Sequence, residues 1–163
     1  MVAWAAAARA TIHVVCAGDS ITEGDVGESY PEMLERLLGN GYRVHNYGRS
    51  GTTAGPEKPW LDWDGADAML ASTFDVAVVM FGANDAKVNE CETCWGADWA
   101  ARRDDFADAY RALLDEVRAA NPAAAIYVGV NTPFLRRAEI SVPAFQLDSF
   151  RRALAAPPRR PAG

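Results

Sequence analysis

At 163 residues, half of them hydrophobic, the chain is long enough for one domain with a proper core. Its net charge of -6 and its scattered arginines, paired only near the end, argue against a nucleic-acid partner. No apolar stretch is long enough to span a membrane.

The opening "MVAWAAAARA" lacks the basic start of a secretory signal. Residues 1–10 read as a short lead-in, with the cytosol as the expected location. Thr11 to Cys16 is a continuous apolar run, as expected of a strand buried on both faces. Ser29 to Leu38 has helical periodicity, with Met33, Leu34, Leu37 and Leu38 on one face and Gly39 and Gly41 ending it. Tyr42 to Asn46 reads as a second strand. Trp60 to Ser72 predicts a helix with Leu61, Met69 and Leu70 inward. Phe74 to Phe81, "FDVAVVMF", is the clearest buried strand.

Asp98 to Ala120 predicts a long amphipathic helix whose inner face carries Phe106, Tyr110, Leu113, Leu114 and Val117. Asn121-Pro122 stops it. Ala125 to Val130 is a fourth strand and Val142 to Leu154 a last helix. Strands alternating with helices predict a parallel sheet covered on both sides, in one domain over residues 11–155. The tail "APPRRPAG", residues 156–163, can continue neither strand nor helix and reads as disordered.

In open parallel sheets, ligands bind outside the carboxyl ends of the strands. Three such ends carry unusual residues: Gly18-Asp19-Ser20, Asn46-Tyr47-Gly48-Arg49-Ser50-Gly51, and Gly82-Ala83-Asn84-Asp85. Any one of them is explained by turn chemistry, since Gly, Asp and Asn favour turns and Ser caps helices. All three in order, at consecutive strand ends, are not.

The stretches "GDSITEG", "NYGRSG" and "GAND" resemble the first three sequence blocks of the SGNH, or GDSL-type, hydrolase family. The resemblance runs from about Ile12 to Pro133. It implies a flavodoxin-like three-layer α/β/α sandwich and a serine esterase acting on a small-molecule or carbohydrate ester, without metal or cofactor. Within the family, the match is nearest to sialate and carbohydrate O-acetylesterase-like members. The resemblance makes Ser20 the nucleophile. It makes the backbone N–H groups of Ser20 and Gly51 and the side-chain amide of Asn84 the oxyanion donors. The residue types suit this chemistry. A serine hydroxyl is a weak nucleophile until a base takes its proton. The oxyanion it creates needs donors fixed in advance. A glycine lets substrate approach its N–H closely. Asp19 is expected to order the loop rather than react.

The family's fourth block, Asp-x-x-His, is absent, so the domain reads as C-terminally incomplete. The chain holds only two histidines, His13 and His45, and the positions three before them are Ala10 and Tyr42. Asp148 is followed at the right spacing by Arg151. His45 sits near the active end of its strand, but a histidine within a strand is more often packed or surface than catalytic. Loss of a triad member leaves roughly 10³–10⁴-fold catalysis over water. The expectation is therefore an esterase scaffold of low activity, from truncation, or alternatively a non-catalytic relative that binds through the same cleft.

Other motifs yield less. No phosphate loop, no G-x-S-x-G elbow and no metal-ligand spacing is present. Cys16 reads as a small core residue. Cys91 and Cys94 form a single C-x-x-C, which is half a zinc site and reads as two loop thiols or a local disulfide. Trp60 and Trp63 are spaced as core residues. Trp95 and Trp99 could line a sugar-binding cleft or pack over their own loop. Arg49 could meet an anionic or sugar substrate or be a solvated loop charge.

Overall fold

The computed structural model describes residues 10–24, 27–85 and 99–129, with side chains from residue 104 onward in the last segment. Four strands form one parallel sheet: β1 (Ile12–Gly18), β2 (Tyr42–Gly48), β3 (Val76–Met80) and β4 (Ala125–Val128). Their spatial order is β2-β1-β3-β4, so the chain steps outward from β1 first to one side and then to the other. The register sets Gly18 beside Gly48 and beside Met80, which aligns three strand ends along one edge of the sheet. β1 and β2 each run two residues further than their apolar runs suggest. Glycine and alanine at these ends leave the backbone free to keep the ladder, and Arg49 N–H extends it by donating to Gly18 O at 2.9 Å.

Helices cover both faces. On one side α2 (Tyr30–Leu38) presents Tyr30, Leu34 and Leu38 to Val14, Cys16 and Val76. On the other, α3 (Asp64–Leu70) and α4 (Trp99–Ala120) pack Met69, Tyr110, Leu113 and Val117 onto Val15, Ala17, Ala77 and Val79. The alternation along β1 decides which residue serves which layer, because successive side chains point to opposite faces. This is the three-layer α/β/α arrangement expected above.

Helix α2 begins where the sequence places it and for a visible reason. Ser29 caps it, its hydroxyl accepting from Glu32 N–H while the Glu32 carboxylate accepts from Ser29 N–H. Such a reciprocal cap contributes about 1 kcal/mol. The inward face is narrower than periodicity suggested. Met33 and Leu37 are 39% and 50% exposed, because Tyr30, Leu34 and Leu38 already fill the stripe against the sheet.

The helix expected over Trp60 to Ser72 is broken. A 3-10 turn at Trp60–Asp62 gives way at Trp63, whose backbone is extended, and α3 starts after it. The break follows from Trp60, which is fully buried and whose indole N–H donates to Tyr47 O at 2.9 Å. Leu61 and Leu70 pack on the core from its margin. At the far end of α4, Asn121 does more than end the helix. Its amide donates to Ser72 O at 3.0 Å and its carbonyl accepts from Phe74 N–H at 3.3 Å, which ties α4 to the entry of β3.

Cys16 is a core residue, as expected, and burial pushes its thiol up to about 12. The expectations for Cys91, Cys94, Trp95, the 142–154 helix, the lead-in before residue 10 and the 156–163 tail lie outside the described residues, as does the side chain of Trp99.

Candidate active site

Ser20 is half-buried and is the first residue of a single-turn helix, α1 (Ser20–Glu23), which follows β1 immediately. The N–H groups of a first helical turn have no acceptor within the helix. Asp19, fully buried, is the N-cap, and its Oδ1 accepts from Ile21 N–H at 3.0 Å. The aspartate of the "GDS" stretch therefore shapes the turn that presents Ser20. The turn also needs its glycines. A Cβ on Gly18 would fall 2.0 Å from Thr22 Oγ1 and 2.7 Å from Met80 O.

The second loop is held against the first. Asn46 donates through Nδ2 to Thr22 O at 2.9 Å and Glu23 O at 3.2 Å, which satisfies carbonyls at the end of α1. Its Oδ1 accepts from Gly48 N–H at 2.9 Å. Glu23 answers from the other side, its carboxylate accepting from Ser50 N–H at 2.6 Å. Gly51 then sits in a turn closed by Thr52 N–H to Arg49 O at 3.2 Å, with φ of 76°. That left-handed backbone favours glycine over any other residue.

The third loop closes the arrangement. Asn84, buried, donates through Nδ2 to Thr52 O at 2.8 Å, next to Gly51. That bond uses one of its two amide hydrogens and fixes the direction of the other. Asp85 accepts from Gly55 N–H at 2.8 Å and Ala54 N–H at 3.3 Å. Burial raises the Asp85 carboxyl above its ordinary value, and those backbone donors pull it back toward the ionised form. Ser20, Gly51 and Asn84 thus stand on three loops stitched to one another at one edge of the sheet. The stitching residues, Glu23, Asn46 and Asp85, were not singled out from the sequence. Asn46 and Asp85 lie within the second and third motifs, where turn chemistry was the reading at hand. Glu23 lies within the first motif, with no sign in the sequence that its carboxylate would reach the second loop.

Both histidines of the chain are described, and they face each other. His13 Nδ1 and His45 Nε2 are 3.2 Å apart. The ring planes differ by 10° with centroids 5.5 Å apart, so the rings meet edge to edge. At about 3.3 Å per strand residue, His45 stands about 10 Å short of the end of β2 and His13 about 16 Å short of the end of β1. His45 is exposed and turned toward His13, which is the structural role the sequence favoured. Among the described residues no group of three or more His, Cys, Asp or Glu could hold a metal ion. No helix of the described residues is long and apolar enough to cross a membrane.

Arg49 is exposed, with its guanidinium carbon 5.7 Å from the centre of the Trp63 ring. Trp63 in turn packs edge-on against Trp60.

The chain is an α/β protein with a parallel sheet and a serine-bearing turn directly after its first strand. The sequence pattern of the GDSL-like lipase/acylhydrolase family matches residues 16–159, and the chain belongs to that family. It is 32% identical over 119 residues to an acetylxylan esterase of Xylanibacter ruminicola, covering 69% of this chain and 23% of that protein. Among solved structures it resembles a family two carbohydrate esterase from Clostridium thermocellum, in complex with cellohexaose. The TM-score there is 0.56 at 22% identity, over 93% of this chain and 50% of that one. An inhibitor-bound aryl esterase of M. smegmatis matches with a TM-score of 0.51 at 23% identity, over 74% of this chain and 63% of that one. The chain therefore spans less than two thirds of the length of each of these relatives.

Proposed function

We propose that the chain is a carboxylester hydrolase that removes short acyl groups, acetyl above all, from a carbohydrate. The observation that carries this reading is the bond from Asn84 to Thr52 O, which locks the amide beside Gly51 and ties the third loop to the second. In the proposed reaction, Ser20 Oγ attacks the ester carbonyl carbon and gives up its proton to a base. The carbonyl oxygen becomes an oxyanion held by the N–H groups of Ser20 and Gly51 and by the Asn84 amide. Collapse of this intermediate expels the sugar alcohol, which takes the proton. Water then repeats the attack and releases the acid. The acetylxylan esterase relative and the carbohydrate esterase fold support a sugar as the alcohol.

The limiting element is the base. Neither His13 nor His45 stands at Ser20, so low turnover is the expected result for these 163 residues assayed alone. Free imidazole in solution is expected to replace it. Acetate release from an O-acetylated methyl glycoside should rise with added imidazole in the wild-type chain and stay at the buffer rate in Ser20→Ala. Alkyl acetates react slowly with imidazole alone, so the difference isolates the serine. Equal rates with and without Ser20, at every imidazole concentration, would refute the hydrolase reading and favour a cleft that only binds.

A further inference from the structure

Lys58 is exposed, and its ammonium lies over Gly51: a Cβ on that glycine would stand 3.1 Å from Lys58 Nζ. Lys58 follows Gly51 by seven positions, and a closed loop brings them together. Thr53, buried, donates its N–H to Lys58 O at 2.9 Å, and its hydroxyl oxygen accepts from Lys58 N–H at 3.2 Å. Trp60 N–H donates to Thr53 O at 3.0 Å and completes the closure. Pro56 and Pro59 restrict the backbone inside the loop. Its start is fastened by the Ala54 and Gly55 N–H groups on the Asp85 carboxylate. The backbone of Lys58 is thus bonded on both its N–H and C=O sides, and only the side chain is left to move.

The charges around the turn are divided. Arg49 leans on Trp63, and Glu23 is held on Ser50 N–H. Lys58 makes no ion pair with the described residues. In a chain of net charge -6, this ammonium stands at the glycine of the turn on an anchored backbone, with a side chain free to turn toward a ligand.

We propose that Lys58 selects esters of acidic sugars, pairing its ammonium with a carboxylate on the ring that carries the acyl group. The inference rests on the reading of Gly51 as part of the acyl site, and it narrows that site to an anionic carbohydrate. A permanent carboxylate would be bound in ground and transition state alike, so the effect falls on kcat/KM between substrates.

The test compares an O-acetylated methyl glucuronoside with the matching O-acetylated methyl glucoside, both with imidazole present. The acidic-to-neutral ratio of kcat/KM should fall about fivefold in Lys58→Gln, the upper size of an exposed charge pair. Lys58→Arg should keep most of the ratio, and raised salt should shrink it in the wild type. A ratio unmoved by Lys58→Gln, or a preference for the neutral ester in the wild type, would overturn the proposal. Should neither ester be hydrolysed, the hydrolase reading fails while this one is still read by binding. Methyl glucuronoside should perturb the tryptophan fluorescence of the wild type more than of Lys58→Gln. Equal titrations of the two proteins would overturn it.

Discussion

Asn84→Ala is expected to lower imidazole-supported ester turnover about 100-fold or more, the usual cost of losing one oxyanion donor. The change removes the amide that would meet the oxyanion. It also leaves Thr52 O without the 2.8 Å bond that now fixes it. The two consequences differ in size. An unmade buried hydrogen bond costs about 1–3 kcal/mol of stability, which denaturant unfolding would register. A purely structural role would therefore shift the unfolding midpoint with a modest, loop-wide effect on turnover. A donor role would cut kcat in the protein that remains folded. Measuring kcat and the unfolding midpoint together separates them. An unchanged kcat would remove Asn84 from the site.

Gly48→Ala is expected to be the most damaging change to the scaffold. The added Cβ would stand 2.1 Å from Glu23 N, 2.6 Å from Thr22 C and 2.7 Å from Glu23 Cα. All three are backbone atoms of α1, so no side chain can turn aside. Either β2 or the serine turn must shift. The cost should reach about 3 kcal/mol, the top of the range for overpacking, and turnover should fall with it because Ser20 rides on the displaced turn. Gly41→Ala is the control. Nothing lies within 4 Å of a Cβ there, and the backbone is not left-handed. That variant should stay within about 0.5 kcal/mol of the wild type. Urea unfolding of both proteins checks the pair.

The sheet was legible because its inner strands are nearly pure apolar runs. "FDVAVVMF" contains all of β3, and only its ends were overextended. The strand ends were less legible. Ala17, Gly18, Tyr47 and Gly48 continue β1 and β2 through the ladder rather than through hydrophobicity. The break at Trp63 was hidden because it depends on where the Trp60 indole finds an acceptor, the carbonyl of Tyr47 thirteen residues earlier. Met33 and Leu37 looked inward because periodicity reports an apolar stripe, not the width of the surface waiting for it.

At the sheet edge, the neighbourhood of the loops carrying Ser20, Gly51 and Asn84 was legible because three strand ends carried them in order. Their supports were not. Glu23 meets Ser50, Asp85 meets Gly55 and Lys58 meets Gly51 only after the loops have folded against one another. His45 shows the same limit in reverse. Its place near the end of β2 suggested the active edge, while its side chain pairs with His13 further back along the sheet.

The central claim is that Ser20 is the acyl-accepting nucleophile, served by Gly51 and Asn84. The most direct test is covalent capture with a fluorophosphonate, followed by peptide mapping by mass spectrometry. A single adduct on Ser20 is expected, formed faster with imidazole and more slowly in Asn84→Ala. An adduct on another residue, or labelling of Ser20 at a rate indifferent to Asn84, would contradict it.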